Sequence, residues 1–157
     1  MKGINNLRRA IVYLLNPNTM ARISMKSITE HMRKLDFCMM VTQTTRRNLT
    51  SRPMSNNRDV TYKGISYFFT DGDSQKVKEL TKNPYVILNF EGPKGLFISI
   101  SGNVKLIRNK TSFEENWVDE LGLWFKKGID TPGLTLIQVK ASHIRYWQYE
   151  KNGEIKI

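Results

Sequence analysis

Apolar positions follow two rhythms along this chain. Near its start Ile4, Leu7, Ile11 and Leu14 recur three and four residues apart while Arg8 and Arg9 fall off that stripe, which predicts an amphipathic helix closed by Asn16-Pro17-Asn18. A second short helix is predicted from Ser27-x-x-Glu30, a capping box followed by Ile28, Met32 and Leu35. After Asp36 the period shortens to two. Strands are predicted at 37–44, 49–56, 65–70, 85–91, 96–108, 134–140 and 144–149. Thr45-Arg46-Arg47-Asn48 and Gly92-Pro93-Lys94-Gly95 are short enough to be hairpin turns, so neighbouring strands should be antiparallel rather than doubly wound and parallel. Two helices interrupt them, at 74–83 with Ser74 as the cap and at about 112–125, where Ser112-x-x-Glu115 is another capping box. Short antiparallel strands with helices in the connections predict a small β-barrel of the α+β class. No internal repeat or Pro/Ser-rich linker divides the sequence. It reads as one domain, 1–157, with an N-terminal helical extension over about 1–25.

Composition narrows the picture. With 157 residues, 39% of them hydrophobic, the chain can bury a substantial core. The apolar run Ala10–Leu15 is far short of the ~18–20 residues of a membrane span, and no signal-peptide pattern opens the sequence, so a cytoplasmic protein is expected. One cysteine, Cys38, excludes an internal disulfide, and with only His31 and His143 beside it no bound metal is expected. Cys38 lies in an apolar strand and reads as a buried structural thiol. The formal charge of +11 is uneven: residues 1–58 carry 11 basic and 2 acidic side chains, residues 59–157 carry 14 and 12. That basic first third favours anionic ligands, but it lacks the aromatic interleaving of nucleic-acid modules, and no specific nucleic-acid partner is expected.

Two stretches carry candidate chemistry. Tyr67-Phe68-Phe69-Thr70-Asp71-Gly72-Asp73-Ser74-Gln75-Lys76 runs from a strand through a glycine turn into a helix start, where free amides and the helix dipole favour an anion. Thr70 and Ser74 can donate hydroxyl hydrogen bonds there and Lys76 adds a charge. The same residues also fit an ordinary N-cap and a solvated lysine. In Ser51-Arg52-Pro53-Met54 the proline removes a ladder donor, so the segment belongs at a sheet edge, a bulge or a rim. Arg52 offers a planar donor fork for a phosphate or for the edge of a heterocycle, and fits a surface arginine as well.

The order of Ser51-Arg52-Pro53-Met54, Tyr67-Phe68-Phe69-Thr70, Ser74-Gln75-Lys76, Asn83-Pro84-Tyr85-Val86, Ile98-Ser99-Ile100-Ser101-Gly102 and Tyr146-Trp147-Gln148 resembles the FMN-binding split-barrel family related to pyridoxamine 5'-phosphate oxidase. Within it the chain is similar to the general stress protein 26-like branch, whose late W-x-x-W-F-x-x-G segment is matched from Trp117 through Trp124-Phe125-Lys126-Lys127-Gly128. The resemblance covers about residues 30–150. It implies a six-stranded antiparallel split barrel with flanking helices, and a homodimer with FMN at the interface. Arg52, Thr70, Ser74 and Lys76 match the positions that hold the flavin and its phosphate. Pro53, Met54, Phe68 and Phe69 match the wall beside the ring, and Trp147 matches an aromatic near the flavin, although it fits a core position equally well.

Some positions depart from the pattern. Gln75 stands where the oxidase has a second basic phosphate ligand, and Gly153-Glu154-Ile155 stands where its substrate-gripping Arg-x-His pair would fall, so pyridoxamine phosphate is not the expected substrate. Acidic Glu114, Glu115, Asp119 and Glu120 read as a solvated helix face, and Trp117 and Trp124 as core or dimer contacts on one face of that helix. The expected function is flavin-dependent redox chemistry, with NAD(P)H or another small anionic substrate as partner. A flavin-holding stress module, or a split barrel that takes haem or a deazaflavin, are the alternatives. Pairing of two barrels is expected to cover an exposed half-pocket of Phe68, Phe69 and tryptophan.

Overall fold

A computed structural model describes residues 23–149 and 151–157. The helix predicted over residues 4–14, and most of the extension assigned to 1–25, lie outside them. The elements in chain order are α1 (Met25–Met32), β1 (Phe37–Gln43), β2 (Leu49–Ser55), β3 (Ile65–Asp71), α2 (Gln75–Lys82), β4 (Tyr85–Gly92), β5 (Leu96–Ile107), α3 (Lys110–Asn116), two 3-10 turns (Asp119–Leu123 and Gly128–Asp130), β6 (Leu134–Gln148) and β7 (Lys151–Lys156).

Among the described residues the strands form one antiparallel sheet in the order β2-β1-β4-β5-β6-β3, with β7 added to β6. Their alternation turns one face of each strand inward. Cys38 and Met40 of β1, Met54 of β2, Phe68 of β3, Leu88 and Phe90 of β4, Ile98 and Ile100 of β5, and Ile137 and Ile144 of β6 meet in a single core, which is how a curled sheet fills its own interior. Ile28 and Met32 of α1 join that core. Cys38 is buried, and burial pushes its thiol up to about 12, which leaves it protonated and inert as expected.

The sheet has seven strands where the resemblance implied six, and the set differs in two places from the seven segments predicted from the pattern. The segments predicted at 134–140 and 144–149 are one strand. A register shift between Ser101 and Gly102 pairs them with His143 and Ala141, so that Ser142 is bulged and β6 carries on through the bend. Strand β7 is new. Lys151-Asn152-Gly153-Glu154-Ile155-Lys156 is polar and contains a glycine, which hides it from a hydrophobic pattern, yet it pairs in register with His143–Gln148. One edge of β6 is thereby divided: its first half holds β3 and its second half holds β7.

Both expected hairpins form. Gln43 pairs with Leu49 and Gly92 with Leu96. In the second, Lys94 and Gly95 have φ of +60° and +66°, the signs that a tight turn between right-twisted strands requires. The helix caps differ from expectation. Ser24, not Ser27, caps α1, accepting from the Ser27 amide at 3.2 Å, and Asn109, not Ser112, caps α3, accepting from the Ser112 amide at 2.9 Å. Helix α3 stops at Asn116 rather than running on to Phe125, because Trp117 turns to extended backbone and packs its ring between Phe69 and Phe125 at centroid distances of 5.2 and 6.2 Å. Trp117 and Trp124 therefore do not share a helical face, and Trp124 is 76% exposed. The acidic residues Glu114, Glu115, Asp119 and Glu120 are exposed as expected.

Candidate functional site

The site grows from the β3–α2 junction. Strand β3 is covered on both sides: Phe68 faces the main core, while Phe69 packs in a second cluster with Phe113, Leu134 and Leu136. Thr70 ends this stiff segment, buried opposite Thr135 of β6. The chain then turns through Asp71-Gly72-Asp73. The Asp71 carboxylate accepts from the Asp73 amide at 2.8 Å, and the Gly72 amide donates to Gly133 O at 2.8 Å. Glycine is needed at that point, since a Cβ on residue 72 would stand 2.6 Å from Thr135 Oγ1 and 2.7 Å from Gly133 O.

Helix α2 starts here, with Ser74 in the cap conformation. Its hydroxyl makes no cap hydrogen bond, and Ser74 Oγ is buried with no partner. The amides of Gln75 and Lys76, the first two helical residues, have no intrahelical acceptor. Lys76 Nζ folds back to donate to Thr70 Oγ1 at 2.9 Å and has no ion-pair partner among the described residues. Its pKa is lowered by burial and by the Arg52 charge, against a smaller opposing pull from Asp71. An unpartnered hydroxyl, free helix amides and a lysine without a counter-ion all suit one ligand chemistry, a phosphate group. The fit is tempered by the Asp71 carboxylate nearby.

Arg52 lies next to this group but is already engaged. Strand β2 is an outer strand of the sheet, as Pro53 required, and Arg52 stands opposite Met40 of β1. Its Nη1 donates to Met40 O and Thr42 Oγ1, and its Nη2 donates to Glu79 Oε2 at 2.9 Å. Glu79 is 1% exposed, and it also accepts from Thr42 Oγ1 at 2.6 Å and from Gln75 Nε2 at 3.3 Å. Burial raises the Glu79 carboxyl, but the hydrogen bonds from Thr42 and Gln75, together with the Arg52 charge, outweigh it and hold the group below the ordinary carboxylate range.

Thus Arg52, Thr70, Ser74 and Lys76 come together around the start of α2. The candidates for a flavin wall are spread more widely. Met54 and Phe68 are in the main core, Phe69 is in the second cluster, and Pro53 is exposed on the outer strand. Trp147 is on the opposite face of β6 from Tyr146, cross-strand from the exposed Phe97. The expected exposed half-pocket is corrected by burial: Phe68 is 2% and Phe69 8% exposed, because β3 is packed on both faces. Exposed apolar side chains collect instead on the outward face of β1, β4 and β5, as Phe37, Met39, Ile87 and Phe97. Glu79 and Thr42 were missed in the sequence. The available signal was a glutamate between Val77 and Leu80 on the buried side of α2 and four residues after Gln75.

Among the described residues three other buried polar atoms lack partners: Asn57 Oδ1, Tyr62 OH and Ser66 Oγ. Their residues line one small cavity beside Met32, to which no residue of the α2 cradle belongs. Where an Arg-x-His pair was looked for, β7 places Glu154, whose carboxylate meets His143 Nε2 at 2.9 Å. Among the described residues there is no cluster of metal-ligating side chains, and no helix is long and apolar enough to cross a membrane.

Comparison with known proteins places this geometry. A family model described as pyridoxamine 5'-phosphate oxidase like matches residues 24–157. A Clostridium acetobutylicum protein related to general stress protein 26 of B. subtilis is similar with a TM-score of 0.74 and 22% identity, over 86% of this chain and 97% of that one. General stress protein 26 from Bacillus anthracis gives a TM-score of 0.71 and 19% identity, over 84% and 97%. The general stress FMN/FAD binding protein of Xanthomonas citri gives 0.67 and 25%, over 80% and 92%. No curated protein matches the sequence. With the family model matched over residues 24–157 and the barrel shared with these structures, the chain belongs to the pyridoxamine 5'-phosphate oxidase-like family.

Proposed function

We propose that this protein binds FMN, with the phosphate at the start of α2, and acts as a flavin-dependent oxidoreductase. The observation that carries the reading is the buried Ser74 Oγ, unpartnered among the described residues, beside a lysine that has no counter-ion among them. The flavin binding named for the Xanthomonas citri protein supports it. Ser74 and the Gln75 and Lys76 amides donate to the phosphate, Lys76 supplies charge, and Thr70 holds Lys76 in place. Arg52 faces the ring system, with Pro53 beside it on the outer strand. Bound flavin supplies the electron chemistry, and the chain's own residues bind and orient it. A small anionic reductant such as NAD(P)H suits the basic charge, and a cytoplasmic setting suits that reductant.

Fluorescence titration with FMN and riboflavin tests this. Lys76→Ala is expected to weaken FMN by about tenfold while riboflavin changes little, since a hydrogen bond to a charged group is worth ~1.5–3 kcal/mol. Absence of both quenching and a thermal shift with FMN sinks the reading, and a Soret band in the purified protein points to haem instead. Anaerobic mixing of the FMN-loaded protein with NADPH should bleach the flavin. No bleaching with either nicotinamide nucleotide assigns the protein to flavin storage.

The same reading includes a homodimer. Phe37, Met39, Ile87 and Phe97 form an exposed apolar face that a second copy would cover, and Trp147 lies beside Phe97 on it. Light scattering should return about twice the chain mass of 18.3 kDa. A clean monomer that binds FMN tightly removes the shared-interface part.

A further inference from the structure

Arg52 is held by one end only. A guanidinium carries five N–H donors. Nη1 uses both of its own, on Met40 O and Thr42 Oγ1, and Nη2 uses one, on Glu79 Oε2. Thr42 and Glu79 are hydrogen-bonded to each other at 2.6 Å, so they share the Nη1/Nη2 end of the fork. The Nε–H and the second Nη2–H, on the adjacent edge, have no partner among the described residues. The Arg52 side chain is 20% exposed and that of Glu79 1%, so the carboxylate side of the pair is sealed while the arginine side chain keeps some contact with solvent.

Resting on the flavin reading above, we infer that Glu79 is a positioning residue that both aims and neutralises Arg52. The Nε/Nη2 edge then serves an uncharged planar acceptor of the ligand, such as a ring carbonyl with its neighbouring nitrogen. Arg52 still bears on Lys76, whose pKa it lowers, but Glu79 offsets that charge in the pair, so the phosphate is left chiefly to Lys76, Ser74 and the α2 amides. Three features of the structure converge on this division. Glu79 is on the same helix as the cradle, three residues after Lys76, so one rigid element sets both. Gln75, at the helix start, turns its amide towards Glu79 Oε1 and adds no charge. Thr42 bridges guanidinium and carboxylate from β1, which fixes the plane of the fork.

The division makes opposite predictions for the two halves of the ligand. In Glu79→Gln, Arg52 keeps hydrogen-bond partners but becomes an uncompensated cation beside the cradle. The ratio of FMN to riboflavin affinity, which isolates the phosphate contribution, should rise by about tenfold, while riboflavin itself weakens because the anchor that aims the fork has lost its charge. In the double variant Arg52→Met/Glu79→Met the cradle charge is unchanged. The ratio should then stay within about twofold of wild type while both affinities fall together. Apolar replacement of a buried pair is commonly tolerated by the fold, so the double variant reads out even if Glu79→Gln does not fold.

Both ligands are titrated by flavin fluorescence against wild type and the two variants, with folding checked by circular dichroism. A proportional loss of FMN and riboflavin in Glu79→Gln would reduce Glu79 to a structural residue and overturn the inference. So would a collapse of the ratio in the double variant, because Arg52 would then have been acting on the phosphate. Wild-type protein that binds neither flavin removes the flavin reading, and this inference with it. Wild-type binding with either overturning pattern removes this inference alone.

Discussion

Arg52→Ala should lower the stability of the fold by about 3 kcal/mol, the low end of what is lost when one partner of a buried ion pair is removed. Glu79 would keep its burial at 1% exposure and its bonds from Thr42 and Gln75, but lose the charge that balances it. Those two remaining donors are why the low end is expected. For a chain of this length the melting temperature should fall by roughly 6–12 °C. The pH dependence gives a second signature. In the native pair the Glu79 pKa is depressed, so its contribution is complete above the unfolded carboxyl pKa near ~4.3 and is lost as pH falls through the folded value. Without Arg52 two of the influences that lower it are gone, so the folded pKa rises and the deficit should shrink as the solution is acidified. Thermal melts from about pH 2 to pH 8 on both proteins decide it. A variant within about 0.5 kcal/mol of wild type at neutral pH, the range of an ordinary surface change, would mean that the pair is not buried as described.

Gly72→Ala is the second large effect. The added methyl would meet Thr135 Oγ1 and the backbone oxygen of Gly133 at 2.6 and 2.7 Å, and neither can retreat easily: Thr135 is fully buried and Gly133 belongs to the turn into β6. The loop must move instead, straining the 2.8 Å hydrogen bond from the Gly72 amide and carrying Ser74 with it. Overpacking of this kind costs about 1–3 kcal/mol, and the upper half of that range is expected here. FMN should weaken about tenfold, more than riboflavin, because the displaced atoms are the phosphate donors. Denaturant unfolding and the two flavin titrations measure both parts. Unchanged FMN affinity in a folded Gly72→Ala protein would detach the phosphate site from this loop.

Much of this was legible because the relevant signals are local. Alternation in Phe37–Gln43 and Tyr85–Gly92 is set by which side chains the interior takes, and the short turns leave only antiparallel pairing. Ser74 and Lys76 could be placed at a helix start because the strand, the glycine turn and the helix follow one another directly. What escaped the sequence depends on partners far along the chain. Polar β7 is a strand only because the second half of β6 offers a free edge. Glu79 is tolerable in the interior only because Arg52, 27 positions earlier, and Thr42, 37 positions earlier, come to meet it. Phe69 reads as an open wall until the segment around Phe113 and Trp117 is seen packed against it.

The divided edge of β6 also sets an order of assembly. Strand β3, which carries Thr70 next to its last residue, has a single neighbour in the sheet among the described residues, and its partners run from Ile65 with Lys140 to Asp71 with Leu134. While the chain is being synthesised, β1 and β2 can zip together at once, and β4 can join them shortly afterwards. The strand that carries Thr70 must wait for some sixty further residues to emerge before it has anything to pair with. Closing so long a loop is entropically slow. The junction that launches α2 is therefore among the last parts of the molecule to be tied down, and a nascent chain halted before Leu134 would hold most of its core strands without a place for an anion.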